Sequence, residues 1–506
     1  MVEMIIENQD GKWKKSKTTL IRRNCSIPLE HDKGQDFEMM LGMYDGDFAM
    51  IHENENSVYA AVDRIRSIPV FYMCYNHVFY ISDSIVALAL KRETIACNQR
   101  AVRELKEAAY VTGHETLIAD IYSLLPGEYI RYDKAANTYQ VKEYFDYGKA
   151  KPILQTESEL IERMQGLHST VFRELIDDVG GRQIVIPLSG GYDSRLILHM
   201  LCTLGYKNIV CFTYGKEHNA ESAVSKRIAG TYRVPWKFVR YTPEKIKRMM
   251  QSEGYKNYLC MSCKGISASH IQDFLAVAEL KEKGLVEEDA VFVPGHAYDF
   301  LAGTHISNGL SGLGEMVSKQ MVTSEIITKH YTHIKRREKG REEWISKELG
   351  EEAAFHNSVG MYHFWEWKER QAKYIANSVR VYEYFGYEWK LPFWDRRLIE
   401  FWDRISVELR KDRFLFLQYM EKIGLKSDSS NDRKFAGARS RIPFRVRMFL
   451  YRIKDLMNNP LEFYSVFNLR EKLQFLSGIW DFQEKIVEDD LKYFFEAVRI
   501  EEDRNV

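Results

Sequence analysis

Between residues 36 and 145 apolar and polar positions alternate in short runs, FAMIHE, SVYAAVD, PVFYMCY, HVFYISD, EYIRYD and YQVKEYFDY, each bounded by turn-forming residues. A period of two puts alternate side chains on opposite faces, so these runs predict a mostly antiparallel sheet domain, broken by one helix near 99 to 112. A charged stretch from about 156 to 178 has helical spacing, and the pattern then changes. Apolar runs such as QIVIPLS and NIVCFTYG now alternate with amphipathic stretches such as SRLILHMLCTL and ESAVSKRIAGTY. A strand apolar on both faces must be covered on both, so this alternation predicts parallel βαβ units. From about 315 aromatic and charged residues recur at helical spacing, and 441–506 reads as an appended helical segment.

With 506 residues the chain exceeds what one ordinary core supports. The expected division is 1–150, 151–440 and 441–506, within an α/β fold class. Composition narrows the function classes. Lys plus Arg equals Asp plus Glu at 72 each, so no net field draws in nucleic acid or an anionic membrane. The opening MVEMIIENQDGKWKK has no signal-like apolar core, and no stretch reaches the ~18 apolar residues of a membrane span, so a cytoplasmic protein is expected. Seven cysteines, with Cys260 and Cys263 alone in a CxxC arrangement, predict reduced thiols and not a disulfide framework. A homodimer is compatible with the sequence.

The sharpest chemical signal is IVIPLSGGYDSRLIL. The apolar run Ile184 to Leu188 ends in Ser189, Gly190, Gly191, Tyr192, Asp193 and Ser194, and an amphipathic helix follows. Adjacent glycines let backbone approach phosphate oxygens, a helix start turns unpaired N–H groups toward them, and Ser189 and Ser194 add hydroxyl donors. Asp193 would repel that anion unless a divalent cation lay between them, which implies Mg2+. Pro187 cannot donate to a sheet ladder, but at a strand's end the loss is small. The alternative is a plain strand-to-helix turn with Asp193 as a first-turn acid.

SGGYDS resembles the pyrophosphate loop of the ATP pyrophosphatase superfamily, and further segments are similar to its asparagine synthetase branch. VCFTYG (Val210 to Gly215), followed by Asn219, Ala220, Glu221 and Ala223, is similar to the second strand and helix of the synthetase domain. There the resemblance places adenine against backbone at positions like Leu188, Tyr214 and Gly215. VFVPGHAYDFLAG (Val291 to Gly303) resembles the family's SGEGxDE segment, with Gly295 in register and Asp299 as a second magnesium carboxylate beside Asp193. KLPFWDRRLIEFW (Lys390 to Trp402) is close to RxPFLDxxLVEF, with Asp395 capping a helix. In the first domain, Gly46 to Tyr72 and LLPGEYIRY (Leu124 to Tyr132) resemble the second half of a glutaminase domain. The resemblance implies a degenerate Ntn-type antiparallel-sheet domain, then a Rossmann-like parallel-sheet ATP pyrophosphatase domain with a helical extension.

It also implies ATP and Mg2+ as cofactors and two half-reactions. A carboxylate attacks the α-phosphate to give an acyl-adenylate and pyrophosphate, and an amine then displaces AMP. A working glutaminase of this kind begins with cysteine, whereas residue 2 is Val2, and only 45 residues precede Gly46. No glutaminase activity is therefore expected, and the nitrogen comes from free ammonia or an acceptor amine. Lys434, in NDRKFAG, is the candidate catalytic lysine, with Lys426 as its rival. His296 stands where the family has glutamate; it is either a base half-titrated near neutral pH or the mark of a different acceptor. Arg195 is expected to pair locally. The basic run Arg439, Arg441, Arg445, Arg447 and Arg452 reads as a solvated helical face. Two other functions stay open: a catalytically silent scaffold, and thiolation through Cys260 or Cys263. The carboxylate, a small molecule or a peptide, is not named by any motif.

Overall fold

The structure is a computed structural model, and it describes residues 1–7, 12–15, 19–23, 37–331, 340–425, 461, 472 and 482–500. Lys434, Lys426 and the basic run from Arg439 to Arg452 lie outside the described residues.

The first domain is a sandwich of two sheets. A six-stranded antiparallel sheet runs in the order Thr138–Glu143, Glu128–Asp133, Ser57–Val62, Phe48–Glu53, Thr19–Arg23, Trp13–Lys15. A four-stranded sheet is ordered Val2–Ile5, Val78–Ser82, Phe71–Tyr75, Tyr122–Ser123. The predicted alternation sorts the side chains. Ala49, Ile51, Val58, Ala60 and Ile130 face the other sheet and meet Tyr72, Phe79 and Ile81 in a common core. Phe48, Met50, Ala61 and Tyr129 occupy the opposite face, beneath Phe37 and Leu41 of the helix Phe37–Met43. Among the described residues three strands, Val2–Ile5, Trp13–Lys15 and Thr19–Arg23, precede Gly46, where the alternation marks none. The first of them pairs parallel with Val78–Ser82.

The second domain is built on five parallel strands, ordered Trp236–Arg240, Ile209–Gly215, Ile184–Pro187, Val291–Phe292, Glu388–Trp389. Ile184, Val185 and Ile186 are fully buried, as a strand covered on both faces must be. Pro187 is the strand's last residue, where its missing donor costs little. The charged helix spans Glu157–Val179, capped by a Thr156–Glu159 box. The chain winds outward from Ile184–Pro187 to one edge and then returns to build the other side from Val291–Phe292. The central pair of strands therefore forms a topological switch point, and the loops after them, 188–194 and 293–299, open onto the same crevice.

The two domains are locked by buried polar contacts. Residues Glu366–Ile375 form a π-helical stretch, long for a conformation that is usually a single turn. From it the fully buried Lys373 donates to the carbonyls of Val111 at 2.7 Å and Gly113 at 2.6 Å, and pairs with Glu369 at 2.6 Å. Glu369 in turn accepts from Gly113 N at 3.1 Å, and Trp367 Nε1 donates to Arg64 O at 2.7 Å. A late helix, Phe482–Ala497, lies across both domains, packing on Gln99–Ala108 of the first and Glu253–Cys263 of the second. Its Val487, Leu491, Phe494 and Phe495 share a core with Leu88, Val102 and Leu105.

Candidate active site

The strand Ile184–Pro187 gives way at Leu188 to the loop, and Gly191 begins the helix Tyr192–Thr203 without any side-chain cap. The first N–H groups of a helix have no internal partner, so this end is open to an anion. Within the loop, Ser189 N donates to Ser194 Oγ at 3.2 Å, and Gly191 N donates to Ser189 Oγ at 3.1 Å. Arg195 donates from Nη2 to Gly190 O at 3.2 Å and lies over the Tyr192 ring, so it braces the loop from behind.

The second loop closes on the first. Asp299 N donates to Asp193 Oδ2 at 3.2 Å, although 106 positions separate the two residues. Burial and the Asp299 charge push the Asp193 carboxyl well above the ordinary carboxylate range, while the Asp299 amide and Arg413 pull it back. Gly295 makes this approach possible. A Cβ there would lie 2.7 Å from Ser194 N and 3.0 Å from Asp193 Cβ. Across the crevice Arg413 Nη1 lies 3.6 Å from Asp299 Oδ1, and its guanidinium lies over the Tyr192 ring. Arg413 and its neighbour Asp412 both have left-handed backbones, at φ 63° and 54°. Two such non-glycine residues in succession are strained, and strain of this kind concentrates at functional sites.

His296 Nε2 lies 2.7 Å from Ser378 Oγ. Burial and the nearby His270 lower His296 to about 4, so its imidazole is neutral near pH 7. The following residue, Ala297, takes φ 83° where the similar family segment has glycine. Tyr214, at the end of its strand, donates its hydroxyl to the half-buried Asp273, which also accepts from Tyr382 at 2.8 Å. Leu188 O accepts from Thr213 Oγ1 at 2.7 Å, and Gly215 has φ 123°, available to glycine alone at low cost.

A family model for asparagine synthase matches residues 167–426, more than half the chain. The chain belongs to the asparagine synthase family. A glutamine amidotransferase domain matches 29–145. The matched span includes both loops, 188–194 and 293–299. Among curated proteins none matches the chain. Among solved structures, a glutamine-dependent NAD+ synthetase from Acinetobacter baumannii in complex with adenosine diphosphate is similar at 15% identity over 40% of this chain, with a TM-score of 0.19. This chain spans 41% of that protein, and so slight a likeness bears on neither fold nor activity.

Elsewhere in the asparagine synthase domain, Pro392, Phe393 and Trp394 form the buried wedge, and Asp395 caps Arg396–Asp403 by accepting from Arg397 N at 2.9 Å. Cys260 and Cys263 lie on the helix Glu253–Cys263 against the late helix, where burial raises both thiols, so they are poor thiolates. A cavity of about 720 Å3 lies away from the loop, between Glu143–Asp146 and the helices Glu157–Val179 and Arg396–Asp403. Arg413, Ser378, His270 and Asp273 escaped sequence reasoning. The left-handed pair at 412–413 has no glycine or asparagine to announce it, and the other three sit in no motif.

Proposed function

We propose that the chain adenylates a carboxylate with ATP and passes the acyl group to ammonia or an amine, releasing AMP and pyrophosphate, without drawing nitrogen from glutamine. One observation carries this reading: at the uncapped start of Tyr192–Thr203, at the sheet's switch point, the Asp193 carboxylate accepts from Asp299 N, and the Asp299 charge lies near enough to raise it. Such an arrangement is costly for an empty protein, because Asp299 raises the Asp193 carboxyl. A divalent cation relieves it, and Mg2+ held by Asp193 and Asp299 would neutralise charge on the ATP phosphates. The chain's own groups do the rest. The uncapped amides at the start of Tyr192–Thr203, the hydroxyls of Ser189 and Ser194, and the Arg413 guanidinium receive the charge that builds on the leaving pyrophosphate. In the first step a carboxylate oxygen bonds to the α-phosphorus and the bond to pyrophosphate breaks. In the second the amine nitrogen bonds to the acyl carbon and AMP leaves.

The first domain's role is structural. Of its described thiols, Cys97 is raised by burial to about 11 and is a poor nucleophile. Its backbone instead accepts hydrogen bonds from Trp367, Lys373 and Arg380 of the synthase domain. The test is pyrophosphate release from ATP and Mg2+ over a panel of carboxylates, run with ammonia, with amines and with glutamine. Release that needs a carboxylate and an amine, with no glutamate formed from glutamine, is expected. Failure of the protein to bind ATP with Mg2+ in a calorimeter would sink the reading.

A further inference from the structure

His296 and Ser378 are 82 positions apart, yet Nε2 and Oγ are 2.7 Å from one another. A serine hydroxyl carries one proton and two lone pairs. Ser378 Oγ also donates to Ile375 O at 2.7 Å, and a carbonyl can only accept. The serine proton is therefore spent on Ile375, and Nε2 must be the donor toward Ser378. That leaves Nδ1 of the half-buried ring as the bare nitrogen, and among the described residues it has no hydrogen-bond partner. His270 is constrained in the same way, because its Nε2 lies 2.8 Å from Tyr374 O. Ser378, Ile375 and Tyr374 all belong to the π-helical stretch and the turn Ala376–Val379 after it, so one element sets both rings.

We propose that Ser378 is a positioning residue that holds His296 as the Nε2–H tautomer, presenting the Nδ1 lone pair to an N–H of the attacking ammonia or amine. This rests on the ligase reading above. The nitrogen lone pair forms the C–N bond at the acyl carbon, and the C–O bond to AMP breaks with its electron pair going to the departing phosphate oxygen. The nitrogen, now cationic and acidic, gives one proton to Nδ1. The resulting imidazolium keeps its Nε2–H on Ser378 and later returns the Nδ1 proton to water. Since burial and His270 hold His296 near 4, Nδ1 is empty at neutral pH, and a weak base suffices for so acidic a proton.

The full chain labelled with 15N-histidine reports tautomers directly in a long-range 1H–15N correlation spectrum, with His296 assigned through His296→Gln. At pH 7 the intact protein is expected to show His296 as Nε2–H alone. Ser378→Ala should collapse that pattern to an averaged or mixed tautomer, Ser378→Thr should restore it, and His270 should stay Nε2–H throughout as an internal control on folding. A His296 already Nδ1–H or mixed in the intact protein overturns the inference, as does an unchanged His296 in Ser378→Ala. Calorimetric binding of ATP with Mg2+ to the intact protein is measured alongside. Its absence defeats the ligase reading whichever tautomer is found, whereas a mixed tautomer with normal ATP binding defeats this inference alone.

Discussion

Asp193 is where binding and stability oppose each other. Its carboxyl is raised by burial and by Asp299, so the folded state favours the protonated form. Stability from this group is fully present below the ordinary value of 3.8 and is lost as pH rises through the raised folded value. Asp193→Asn removes that loss. Without divalent cation the variant should melt at a higher temperature than the parent at pH 8, and the gap should close toward pH 4. The same change should weaken binding of ATP with Mg2+ by on the order of 100-fold, the effect of removing a charged contact worth about 2.8 kcal/mol. Thermal melts across pH, paired with calorimetric titration, check both halves; a variant that binds ATP as well as the parent contradicts the assignment.

Two loops meet face to face at the element scale, and glycine sets how close they come. Gly295 needs no unusual backbone angle. It is required because the 193–194 backbone fills the space a side chain would occupy. Gly295→Ala should prise the loops apart, costing about 1–3 kcal/mol of stability by overpacking and more in ATP affinity, since Asp299 N would leave Asp193. Urea unfolding and ATP titration measure the two effects. The π-helical stretch makes the other element-scale contact. Lys373 and Glu369 are each fully buried, so deleting one partner strands the other's charge. Lys373→Met should destabilise by about 3–5 kcal/mol, and adding Glu369→Gln should recover part of the loss. A double variant no more stable than Lys373→Met would show that the carbonyl contacts, and not the charge pair, dominate.

Across the whole molecule the late helix Phe482–Ala497 spans the two domains and carries a buried acid at their junction. Asp490 accepts from Ser269 N at 2.8 Å and Ser269 Oγ at 2.6 Å, yet burial raises it to about 8. Its contribution to stability is therefore complete below its ordinary 3.8 and falls away as pH rises through about 8. Amide exchange of this helix should accelerate, beyond the intrinsic pH effect, between pH 6 and pH 9. Asp490→Asn should flatten that dependence while keeping an acceptor for Ser269. Equal acceleration in the variant would place the sensitivity elsewhere.

What could be read from the chain alone was what depends on neighbours in sequence. Period-two runs gave the central strands because alternation is a property of the strand itself, and the Asp395 cap follows from residues two positions apart. SGGYDS and PGHAYD could be recognised because a turn that admits phosphate constrains adjacent residues. The early strands escaped because two of them are short and the parallel partner of Val2–Ile5 lies 77 positions away, across contacts that no local period records. His296 was found as a residue, but its neutral state was decided by burial and by His270, and its tautomer by Ser378. Arg413 was likewise a product of the fold, whereas the nearness of Asp193 and Asp299 was expected from the resemblance. Local chemistry is written in adjacent residues, whereas charge state and proton position depend on which distant groups exclude water and share a hydrogen, and tertiary packing alone determines that.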